Sequence, residues 1–127
     1  MSARFGVWLM GLLAHLPLRW LRAMCSLLGQ GLFVRGEQGR RVAIRNLELC
    51  FPQTPLRQRR AWARETFVVF CQTWLDRSWL WSAPRDVVLA RVQLQGALHE
   101  LDGDVPTIIF APHFLGMDAG GLALPLH

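Results

Sequence analysis

The chain has 127 residues, the size of one small domain, and 52% of them are hydrophobic, enough for a core. All fourteen cationic side chains are Arg, so a Walker-type phosphate loop, a Schiff base and a Ser–Lys dyad are excluded. Residues 1–64 carry eleven Arg against Glu37 and Glu48, a net +9, whereas residues 65–127 are net −4.

A basic front half rich in Leu, Trp and Phe fits an anionic membrane surface better than nucleic acid. Cys25, Cys50 and Cys71 have neither CxxC nor Cys/His ligand spacing, and they read as buried thiols in a reducing compartment.

The first uncharged run, FGVWLMGLLAHLPL at 5–18, is fourteen residues long and falls short of the roughly twenty that a membrane-spanning helix needs. No small-residue cleavage site follows it, which argues against a secretory signal. Pro17 should divide the segment into two helical pieces. His15, Arg19, Arg22, Ser26 and Gln30 recur at helical steps, forming a polar stripe on an otherwise apolar helix. Residues 1–35 therefore read as a membrane-associated helical segment with Arg at headgroup level, spanning or lying flat. The competing reading is an amphipathic helix buried in a bundle.

Gly36 to Gly39 mark a break before a second region, 36–127. Arg40 to Cys50 has apolar residues at helical spacing and ends at Phe51-Pro52. Thr54-Pro55 looks like an N-cap followed by proline at the first helical position, opening a long helix that Pro84 stops. Its front carries Arg57, Arg59, Arg60 and Arg64. These either meet phosphate groups of a lipid, glycolipid or carrier, or form a solvated helix start. Cations at a helix N-terminus oppose the macrodipole, so an anion nearby is physically reasonable. Trp74, Trp79 and Trp81 read as core or as an interfacial aromatic belt.

Val87 to Ala90 is a helical turn, and Val92 to Gln95 alternates like a half-buried strand. A brief helix over 97–101 and a turn at Asp102-Gly103-Asp104 follow. Thr107 to Ala111 is a continuous apolar run of the kind found in buried parallel strands. His113 then stands at the end of that strand, ahead of a helix over 115–124, where open α/β sheets build ligand sites. The expected fold class is α/β: amphipathic helices followed by the first strands of a sheet.

His113 and Asp118 are the candidate catalytic pair. An imidazole is a suitable base for a hydroxyl proton, and a carboxylate on its second nitrogen fixes the tautomer. Gly116 between them tolerates a tight backbone. There is no GxSxG elbow; His99-Glu100 lacks the second histidine of HExxH, and Pro106 spoils a calcium loop begun at Asp102. No metal or cofactor is expected. A core histidine and a helix-capping aspartate remain the alternative for an H-x4-D spacing on its own.

H-x4-D after a buried strand resembles the signature of the glycerolipid-type acyltransferase superfamily. RNLELCFP at 45–52 is more particular and resembles a block of the lipid A biosynthesis (lauroyl/myristoyl) acyltransferases. ARETF at 63–67 and Val92-x-Leu94-x-Gly96 ahead of HFLGMD match in order, so the resemblance covers nearly the whole chain. It implies a bacterial inner-membrane enzyme, on the cytoplasmic face, that moves a fatty acyl chain from acyl carrier protein to a hydroxyl of a phosphorylated glycolipid, a lipid A precursor. His113 would be the base and Asp118 its orienting acid. Asp stands where many relatives have Glu. Arg57, Arg60, Arg64 and Gly116 would touch substrate. Family members continue past the H-x4-D block, so an incomplete acyltransferase domain is expected over 36–127. The other reading is a non-catalytic membrane-binding module or an inactive truncated fragment.

Overall fold

In a computed structural model, residues 3–103, 106–112 and 114–126 are described. Helix α1 covers Ala3–Ala14, α2 Leu18–Arg35, α3 Glu37–Cys50, α4 Leu56–Leu80, α5 Arg85–Arg91 and α6 Met117–Ala123. Short 3-10 turns occupy Leu98–Leu101 and Leu124–Leu126. Proline sets several boundaries: Pro17, Pro55 and Pro84 each stand immediately before a helix, with φ near −57° already suited to helix entry. Thr54 is not a side-chain cap; the start of α4 has none.

The α/β expectation is overturned. Among the described residues 74% are helical and no strand occurs. Val92 is extended, at φ −114° and ψ 109°, yet 92–95 joins no ladder. The 107–111 run is also irregular, and its side chains face outward, with Ile108 97% and Phe110 91% exposed. Branching and apolarity favour an extended backbone, but a strand needs hydrogen-bond partners alongside it. Neither segment has such a neighbour among the described residues.

Helix α4 is the central element, with α1, α2 and α3 packed on it and α6 touching its C-terminal part. The inner face of α2 repeats every fourth residue: Leu21, Cys25, Gly29 and Phe33 are all buried. Phe33 meets Phe67 of α4 edge to face at 5.6 Å, and Ala63 and Cys71 complete the buried stripe of α4. Arg22, assigned from sequence to the headgroup stripe, turns inward instead. Both its terminal nitrogens donate to Asp76 Oδ2 at 3.0 Å, and the Trp79 indole donates to Asp76 Oδ1 at 3.0 Å. Arg40 ties α3 to the end of α2 by donating to the Phe33 and Val34 carbonyls, each at 2.8 Å.

A second cluster, Trp79, Leu80 and Val88, joins the end of α4 to α5. Ala119, Leu122 and Leu126 pack against it, which anchors α6 beside α4. Of the thiols expected to be buried, Cys25 and Cys71 are, whereas Cys50 at the end of α3 is exposed. Among the described residues no helix is long and apolar enough to cross a membrane. At 1.5 Å per residue, the twelve-residue α1 reaches only about 18 Å of a hydrocarbon core about 30 Å thick.

Candidate active site

Asp118 lies in the first turn of α6, just after Gly116, which takes φ +89° in the left-handed region open to glycine. The Ala119 amide donates to the Gly116 carbonyl at 2.9 Å, closing the turn that delivers the carboxylate. His113 lies outside the described residues.

The partner of Asp118 is one that sequence reasoning missed. Arg77 Nε, near the end of α4, donates to Asp118 Oδ2 at 2.7 Å, with both side chains about one-quarter to one-third exposed. The guanidinium carbon sits 4.4 Å from the Trp74 ring centre and 5.8 Å from that of Trp81. Positions 74, 77 and 81 share one helical face, so the cation is held by its neighbours three and four residues away. One signal was available: between Glu65 and Arg85 the only charged residues are Asp76 and Arg77. Both form long-range ion pairs, with Arg22 and Asp118 respectively.

Phe70, Thr73, Trp74 and Arg77 face residues 114–118 across a cleft of about 160 Å³. Phe70 and Trp74 also line a neighbouring open groove of about 370 Å³ with Leu28, Leu32, Cys71 and Leu75. The groove is apolar in character, and the two aromatic rings it shares with the cleft form a common wall. A wider hollow of about 710 Å³, lined by Leu98, Leu101, Asp102, Thr107, Ile109, Leu124 and Pro125, contains none of the candidate catalytic or substrate-binding residues.

The arginines lie elsewhere. Arg57, Arg60 and Arg64 are exposed along one face of the first turns of α4, where they share an open groove with Leu56 and Ala61. Twenty residues separate Arg57 from Arg77, about 30 Å along the helix axis. The basic groove and the Asp118 cleft are therefore separate places. Arg59, the fourth member of the cluster, turns to Glu48 at 3.5 Å, while Arg45 holds the same carboxylate at 2.7 Å. The hydrogen bond and charge of Arg45 push the Glu48 carboxyl below its ordinary range, with Arg59 adding to the effect.

Among the described residues no cluster of His, Cys, Asp and Glu could hold a metal ion. The family model for bacterial lipid A biosynthesis acyltransferases matches residues 2–127. The chain belongs to this family. Neither the curated proteins nor the solved structures offer a match to it. Family membership places the chain in the H-x4-D acyltransferase superfamily and makes it a lipid A biosynthesis acyltransferase in general terms, with an acyl donor and a lipid acceptor.

Proposed function

We propose that the protein transfers a fatty acyl group from acyl carrier protein to a hydroxyl of a phosphorylated lipid A precursor, with His113 as general base and Asp118 as its orienting carboxylate. The observation that carries this reading is the cleft holding Asp118, which shares Phe70 and Trp74 with an apolar groove between α2 and α4. An acyl chain seated in that groove would present its thioester beside the carboxylate. The acceptor hydroxyl gives its proton to the His113 imidazole and attacks the thioester carbonyl. A C–O bond forms, the C–S bond breaks, and the imidazolium returns the proton to the carrier thiolate.

Arg57, Arg60 and Arg64 suit an anionic partner. They line a groove of their own and stand about 20 to 30 Å before Arg77 along α4, so they fit the surface of an acidic carrier or distant phosphates better than the reacting group itself. We place the enzyme on the cytoplasmic face of the bacterial inner membrane. Phe5, Trp8, Leu9 and Leu12 recur at helical spacing on α1 and are exposed, an apolar stripe that a lipid surface would cover. Incubating the full chain with acyl carrier protein charged with a fatty acid, and a lipid A precursor, should yield an acceptor heavier by one acyl chain. Carrier thiol should be released only when the acceptor is present. Release without acyl gain, or no release, would contradict the reading.

A further inference from the structure

Among the described residues, one side chain ties Asp118 to the helical core, and that side chain is itself caged. Arg77 engages Oδ2 at 2.7 Å through Nε, while its guanidinium is flanked by Trp74 and Trp81. Helix α6, which carries Asp118, is only seven residues long and lies next to the irregular stretch around 107–112. Such a short helix does little to hold a carboxylate in one orientation, whereas the α4 scaffold has a buried end at Ser78, Trp79 and Leu80. We infer that Arg77 is a positioning residue for the His113–Asp118 pair, holding Oδ2 so that Oδ1 is left for the imidazole.

This inference rests on the acyl-transfer reading of the pair. A lysine would keep the charge but lose both the planar Nε–H donor and the flat surface that stacks on Trp74. The ion pair also links Trp74, which lines the apolar groove, to the carboxylate, so one side chain touches both the groove wall and the pair.

The test combines kinetics with a readout that does not need turnover. In the full chain, Arg77→Ala should lower kcat by about tenfold or more with the KM for charged carrier unchanged. In an Asp118→Asn background the same substitution should cost nothing further. Nitrogen-15 NMR of the His113 imidazole supplies the independent readout. Losing an oriented anion lowers its titration midpoint, so Arg77→Ala and Asp118→Asn should move it downward alike. A cation acting through its charge alone would have the opposite effect, because removing it raises the midpoint.

If Arg77→Ala does not melt cooperatively, Arg77→Lys carries the same measurements and should shift the midpoint in the same direction. A midpoint unmoved or raised by the Arg77 variants, with Asp118→Asn lowering it, overturns the positioning role and leaves the pair intact. A midpoint unmoved by Asp118→Asn overturns the pair and the role of Arg77 together. Absence of acyl transfer in the unsubstituted chain, with the midpoints moving as expected, overturns only the proposed reaction.

Discussion

Gly29 of α2 lies directly against the backbone of Val68 in α4: a Cβ on Gly29 would fall 2.5 Å from the Val68 Cα and 2.9 Å from the Phe67 carbonyl oxygen. Backbone atoms cannot move aside as a flexible side-chain end can, so α2 and α4 can approach this closely only where there is no side chain.

Gly29→Ala should therefore force the two helices apart, costing about 1–3 kcal/mol or more, read as a lowered Tm. Gly31, two residues on, has nothing within 4 Å of its would-be Cβ. Gly31→Ala should be neutral or stabilising by up to about 1 kcal/mol, since alanine is the better helix former. Equal losses at the two positions would contradict the packing.

Asp76 accepts from both Arg22 and the Trp79 indole while only 19% of its side chain is exposed. Asp76→Ala should cost about 2–3 kcal/mol, because it leaves a half-buried guanidinium and an indole N–H without their acceptor. In a double-mutant cycle with Arg22→Ala the losses should be less than additive.

Native thiol titration should label Cys50 first and leave Cys25 and Cys71 unreacted until the chain unfolds. Burial raises the pKa of both inner thiols above the ordinary 9.0, with Arg22 partly opposing it at Cys25. A folded pKa above the unfolded one means stability is fully present below the thiol range. It falls as pH rises past about 9, because the unfolded chain ionises first. Serine at both positions should remove that part of the alkaline loss.

The exposed stripe on α1 should drive vesicle association. Replacing Trp8 and Leu12 with Asp should reduce flotation with anionic liposomes by tenfold or more, since each buried apolar side chain is worth about 1.5–3 kcal/mol. Both are more than half exposed, so Tm should change little. Unchanged flotation would contradict a membrane role for α1.

Much of the helical order is legible because proline and short-range periodicity act locally. Pro17, Pro84 and the Phe51-Pro52 step mark helix boundaries in the structure as in the sequence. Among the described residues 92–95 and 107–111 form no strand although both have the composition of strands, because a sheet depends on which distant segment lies alongside. The break expected over Gly36 to Gly39 narrows to Gly36, as α3 begins at Glu37. Tertiary pairing also redirected single side chains. Arg22 lies on the polar stripe of α2, but Asp76, 54 residues away, draws it inward. Arg77 gave little local sign of its partner, since Asp118 is 41 residues distant and only folding brings them together. Asp118 and Gly116 are candidates from spacing alone, and Trp74 and Trp81 read from the sequence as core or belt, but the cage these rings form around Arg77 depends on the fold.

The central claim is that the Asp118 carboxylate serves an acyl-transfer base. Its most direct test is the rate of acyl transfer to a lipid A precursor by Asp118→Asn, normalised to folded protein by thermal melt. The side chains are nearly isosteric, so the change removes the charge without removing the bulk. The account predicts a fall of about a hundredfold or more, the scale of general-base assistance. A variant that folds and transfers at the full rate would contradict it.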